Sequence, residues 1–184
     1  MQLSTALRSA HSSSLFFIKS ITSSSSSSIN QHLLFVLSNP NWRKHPSLNT
    51  LIPSLSPSHF SYFLLQNPNL NPHIVISFFY YLSTRNTLLF KPNPQSYAPF
   101  LRILISNNLF RVAERTRLSM IKSGETRDDA VFVMDFVREM RCRFKVDVWG
   151  YNKLLMCLSR FVMIDDMKCV YDDMLSDMIK PDIG

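Results

Sequence analysis

One pattern of helical spacing occurs twice, 54 residues apart, and nothing else in the chain constrains the fold as strongly. Tyr151, Leu154, Leu155 and Leu158 stand at i, i+3, i+4 and i+7, and Tyr97, Phe100, Leu101 and Leu104 match them one for one. That spacing places apolar side chains on one face of a helix. Met167, Val170, Tyr171 and Met174 form a second stripe, in which Met167 and Met174 correspond to Ala113 and Met120. Asp165 and Asp166 open it, where carboxylates suit the positive end of a helix dipole. Lys180-Pro181-Asp182 closes it, because proline lacks an N–H and clashes with the preceding turn. Each unit is then helix, turn, helix over 35 residues, 94–128 and 148–182. A repeat of that length marks an α-solenoid. First helices are expected over 96–106 and 150–159, and second helices over 111–121 and 165–176.

Between the units lie residues 129–147, too few for a helix pair. They carry one stripe, Ala130, Val133, Met134, Val137 and Met140. This reads as a degenerate half unit that keeps only its second helix, over 128–140. Upstream, 58–93 reads as an irregular helical pair ending in Lys91-Pro92-Asn93. Ile183 and Gly184 would begin a further unit, so the chain reads as a truncated product or fragment.

Charge is unevenly placed. The formal net charge is +7, yet residues 1–113 hold 8 Lys or Arg and no Asp or Glu, while 114–184 hold 12 basic and 13 acidic groups. A uniformly basic nucleic-acid face does not follow from those numbers. The first thirty residues contain 12 Ser, Arg8, Lys19 and no acid. That is the composition of an organellar transit peptide, not of a secretory signal, whose apolar region is longer. The spacing of "LSTALRSA" leans to the mitochondrion; the serine content keeps the chloroplast as the alternative. Residues 31–57 are rich in Asn, Pro and Ser and read as a linker with one short helix near residues 33–37. No apolar run approaches the 18 residues of a membrane span.

Cys142, Cys157 and Cys169 have no metal-ligand spacing, and all five His lie between His11 and His73. The cysteines read as reduced core thiols, and neither metal nor cofactor is expected. The chain has no Gly-rich loop after a strand, no GxSxG and no HExxH, so no enzyme is expected.

The stretch "GYNKLLMCLSRFVMIDDMKCVYDDMLSDMIKPD" resembles a pentatricopeptide repeat, with its early Tyr-Asn, its late Met and its closing Lys-Pro-Asp. "SYAPFLRILISNNLFRVAERTRLSMIKSG" resembles the same repeat, although Ala98 stands where Asn, Ser or Thr is usual. Residues 58–93 and 129–147 resemble it loosely. The resemblance implies an all-α, right-handed α-solenoid of helix–turn–helix repeats behind a disordered N-terminal presequence. It also implies a land-plant organellar protein of the P type.

The resemblance implies recognition of single-stranded RNA, about one base per repeat. The fifth and last residues of a unit would face the base edge, and the second would lie on its face. In 148–182 these are Asn152, Asp182 and Trp149, and the family pairing of Asn with Asp favours uracil. In 94–128 they are Ala98, Asp128 and Gln95; Ala98 offers no hydrogen bond, so this unit should read little. Other readings stand beside these. Asn152 would serve the helix N-terminus, Asp182 would be a turn residue, and Trp149 would be core between repeats. Lys153 and Arg160 would contact phosphate or be merely solvated. Two functions follow: a sequence-specific RNA-binding adaptor for processing, stability, splicing or translation, or a scaffold for other proteins; a truncated copy with no function of its own is the third reading. Single-stranded organellar RNA is the expected partner, with other RNA-processing proteins as a second class and no DNA.

Overall fold

The computed structural model describes residues 23–84 and 90–180, with side chains from residue 28. The chain forms two compact units, 1–48 and 49–184. Among the described residues every regular element is helical.

The first unit holds helix α1 (Ser23–Leu37) and a 3-10 turn (Trp42–Lys44). Most of the expected transit peptide, residues 1–22, lies outside the described residues. The expected linker is corrected. Leu33, Val36 and Leu37 follow helical spacing and are buried, as are Trp42 and Leu48. Further on, Leu51, Ile52 and Leu55 are buried too. The prolines of this stretch do not prevent ordered structure because Pro53 and Pro57 stand in the first positions of their helices. There the missing N–H would have had no partner.

In the second unit α2 (Leu48–Leu51) and a 3-10 turn (Ile52–Ser54) lead into α3 (Pro57–Gln66) and α4 (Pro72–Thr84). Then come α5 (Pro94–Ser106), α6 (Phe110–Ser123), α7 (Arg127–Met140), α8 (Val148–Ser159) and α9 (Ile164–Ser176). Three of these start on side-chain caps. Asn93, Thr126 and Asp147 each accept a hydrogen bond from the backbone N–H three residues on. Such caps satisfy donors that the helix itself leaves open. They start α5 and α8 three residues before the apolar stripe does.

The helices alternate in direction and form two rows. In the first row α3, α5, α7 and α9 run parallel, joined by pairs about one repeat apart. Ser61 Oγ donates to the Gln95 carbonyl at 3.1 Å. That carbonyl is free because Pro99, four residues on, has no N–H to give it. Gln95 then donates to Asp129 at 3.0 Å, and Arg102 bonds Glu139 through two nitrogens at 2.9 and 2.7 Å. Arg138 and Arg141 both reach Asp173 at 2.7 Å. In the second row α8 runs parallel to α6. Phe110 stacks on Phe144 with centroids 5.9 Å apart, and Arg160 donates to the Gly124 carbonyl at 2.8 Å.

Arg117 fixes this second row. It is 3% exposed, pairs with Glu114, donates to the Lys145 carbonyl at 2.9 Å, and lies 4.5 Å from the centroid of Phe144. Gly150 lets it approach, since a Cβ there would stand 2.8 Å from Val146 and 3.1 Å from the guanidinium.

Residues 128–140 therefore do not occupy a second helix's place. A chain that reverses at every turn must set its third helix parallel to its first, so α7 takes the row of α5. The next helix, α8, bears the first-helix motif and yet stands in the row of α6. The cysteine expectation is corrected as well: Cys157 is buried, and burial pushes its thiol pKa up, but Cys142 and Cys169 are exposed. Among the described residues no helix is long and apolar enough to cross a membrane, and no three His, Cys, Asp or Glu converge as metal ligands.

Candidate nucleic-acid interface

The sequence singled out six positions, and the structure separates them. Trp149 and Asn152 share the first turns of α8. The indole is 65% exposed, so it is not core. Asn152 is half-buried, and its side chain makes no hydrogen bond among the described residues. It does not serve the helix terminus, because Asp147 caps α8 by accepting from Gly150 N–H at 2.8 Å. Its amide is thus free to offer a donor and an acceptor to one base edge. Asp182, its expected partner, lies outside the described residues.

Asp128 stands in the first turn of α7, exposed, in the other row. Ala98 on α5 is buried at 7% exposure, and Gln95 is occupied by Asp129. Asp129 is the more engaged of the two acids. Burial alone would raise its pKa, but hydrogen bonds from Gln95 and from the N–H groups of Glu125 and Thr126 hold it below the usual range. The unit 94–128 therefore offers no free base-reading pair on α5.

Three residues matter here that sequence reasoning missed or left aside. Arg111, Arg115 and Lys122 lie at i, i+4 and i+11 along α6, on the face opposite its buried Ala113, Met120 and Ile121. All three are exposed and none forms an ion pair among the described residues. On α8, Trp149, Lys153, Met156 and Arg160 share a face by the same spacing. The spacing was legible, but a cation at helical spacing usually marks only a solvated face. Only the packing of α8 beside α6 brings the two stripes into one surface.

Comparison with known proteins agrees with this architecture. Over 166 residues, 87% of this chain, it is 38% identical to a pentatricopeptide repeat-containing protein of Arabidopsis thaliana, of which it covers 18%. A second such protein of the same plant, named as mitochondrial, is 26% identical over 129 residues, covering 68% of this chain and 14% of that protein. The chain thus spans less than a fifth of the length of these relatives. No family model matches it, and no solved structure does.

Proposed function

Because the chain belongs to the pentatricopeptide-repeat family, we propose that it binds single-stranded RNA in a plant organelle, as an adaptor in RNA processing, stability, splicing or translation. One observation carries this reading above the others: a two-thirds exposed indole and an unbonded amide three residues apart on the helix that bears the repeat motif. A flat aromatic face stacks on any base, contributing about 1–3 kcal/mol. The amide of Asn152 then discriminates, and with Asp182 the preference is for uracil.

Import into the mitochondrion is part of the proposal. It is supported by the acid-free, serine-rich first thirty residues and by the one relative named as mitochondrial. The chloroplast is the alternative destination.

One stacked and hydrogen-bonded base contributes roughly 2–4 kcal/mol, which corresponds to a dissociation constant on the order of millimolar. The test is a titration of short fluorescently labelled uridine, adenosine and cytidine oligonucleotides with the 184-residue chain at low salt, read by the anisotropy of the label. Weak binding strongest for uridine, lost in Trp149→Ala and levelled in Asn152→Ala, is expected. Indifference of binding to both substitutions would overturn the assignment.

A further inference from the structure

We propose that the outward face of the α6–α8 row is the track of the RNA backbone, with Arg111, Arg115 and Lys122 of α6 and Lys153 of α8 contacting successive phosphates beside Trp149. The proposal rests on the RNA-binding reading above and adds where the strand lies. It makes α6, a helix with no base-reading position, part of the binding surface.

Charge is sorted by row. The helix α6 carries four cations and one acid, and α8 one cation; α4 carries none, so that row totals +4. In the other row α3 is uncharged, α5 has one cation, α7 has two cations and four acids, and α9 has one cation and four acids, a total of −4. The slight negative balance of residues 114–184 hides this separation.

The cations of the two rows are also used differently. In the first row Arg102, Arg138 and Lys168, with Arg141 just after α7, each have a carboxylate partner, and Arg127 has none among the described residues. In the second row the acid of α6, Glu114, and the cap of α8, Asp147, are both turned to the buried Arg117. Arg111, Arg115, Lys122 and Lys153 are left without a carboxylate among the described residues. Uncompensated like charges on one face repel one another, and a polyanion relieves that repulsion while releasing its own counterions.

The two stripes look the same way. The helices run parallel, with Phe110 level with Phe144 and Gly124 level with Cys157. On that register Arg115 stands level with Trp149, and Lys122 with Met156. A cationic rail therefore flanks the exposed indole and the free amide of Asn152, the combination that binds single strands by backbone attraction and base stacking together.

The experiment is fluorescence anisotropy of the whole chain with a labelled uridine-rich 20-mer over a salt series. Three variants accompany the parent: Arg111→Gln/Arg115→Gln/Lys122→Gln, its Arg→Lys counterpart at 111 and 115, and Arg102→Gln/Arg127→Gln on the opposite row. Each lost single-strand phosphate contact removes about 0.7 from the slope of log K against log salt. The glutamine triple should lower that slope by about 2 and weaken all sequences alike. The lysine variant and the opposite-row variant should keep it. Should the triple lose helicity by circular dichroism, Arg115→Gln and Lys122→Gln singly must each lower the slope by about 0.7. An unchanged slope in the glutamine variants, with binding still dependent on Trp149, overturns this inference and leaves the RNA reading intact. Saturable binding of phosphatidylserine vesicles with no RNA binding by the parent chain overturns both.

Discussion

The hairpins α5–α6 and α8–α9 are the same object in sequence and different objects in the fold. Their turns share one backbone device: Asn108 and Val162, 54 apart, both take a positive φ, of 57° and 53°. Leu109 N–H reaches the Leu104 carbonyl at 2.9 Å, and Met163 N–H reaches Leu158 at 3.3 Å. Yet Leu101 and Ala113 are fully buried, while their counterparts Leu155 and Met167 are half-exposed. The second hairpin instead lines an open groove of about 350 Å³ with Leu155, Ile164, Met167 and Tyr171. Their rows are also exchanged, because α7 intervenes as a single helix. A repeat motif thus specifies its own hairpin. Which row each helix joins is decided by how many helices precede it.

The sharpest test of that difference concerns position 117 and its counterpart 54 residues on, Tyr171. Arg117 is buried and ties α6 to the approach of α8, whereas Tyr171 is 42% exposed on the open groove. Removing one partner of a buried ion pair leaves the other uncompensated and costs up to 3–5 kcal/mol. Glu114 retains some solvent contact, so about 3 kcal/mol is expected for Arg117→Met in urea denaturation. Tyr171→Ala should cost less than about 1 kcal/mol, the range for surface changes. Equal losses at the two positions would mean that the second hairpin is as enclosed as the first.

The helical segments of this chain were legible because their apolar stripes repeat at 3.6 residues. All five segments expected from 96 to 176 are found, each slightly longer than its stripe. The extra residues belong to caps, and Asn93, Thr126 and Asp147 carry a recognisable signal three residues ahead of their partners. Arg117 was not legible. Its spacing is that of a solvated cation, and only the carbonyl of Lys145 and the ring of Phe144 give it reason to be buried. Nor was the packing around Trp42 and Leu48, where prolines suggested a linker. At the candidate site, the exposure of Trp149 and the freedom of Asn152 had to be seen. The sequence left each with a structural alternative: exposure removes the core reading of Trp149, and Asp147 taking the cap removes the helix-terminus reading of Asn152.

A second difference between the hairpins is electrostatic. Tyr151 and Tyr97 are equivalent, but the Tyr151 hydroxyl donates to Asp177. Burial first, then that carboxylate, push its pKa up to about 12. The unfolded chain loses this proton near pH 10, the folded chain near 12, so the folded state binds it more tightly. The contribution of this hydroxyl to stability should therefore be constant below about pH 9 and be lost as pH rises from about 10 to 12. At pH 11 the loss is about 1.4 kcal/mol, since one pKa unit corresponds to 1.36 kcal/mol. Denaturation at pH 9 and 11 measures it, and Tyr151→Phe should shrink the difference by about that amount, leaving the part due to Tyr97 and Cys157, whose pKa values burial also raises. A pH dependence undiminished in Tyr151→Phe would place the titrating group elsewhere.

The smallest expected effect isolates the feature the hairpins share. A left-handed backbone brings Cβ against the following carbonyl and costs an L-residue roughly 1–2 kcal/mol. Asparagine tolerates that conformation because its short polar side chain bonds locally, whereas a β-branched valine does not. The chain has placed the tolerant residue in one turn, Asn108, and the intolerant one in the other, Val162. The Val162 side chain is 74% exposed, so little packing is lost on replacing it. Val162→Asn should stabilise the chain by about 1 kcal/mol, and the reverse exchange, Asn108→Val, should destabilise it by about the same amount. The pair of measurements, by urea denaturation at neutral pH, separates local register from position in the stack. Changes of similar size and opposite sign mean that the two turns are one structure set by the repeat. A loss at 108 with no gain at 162 would mean that the second turn relaxes out of the left-handed region, and that the enclosure of the first hairpin, rather than the motif alone, holds its turn in place.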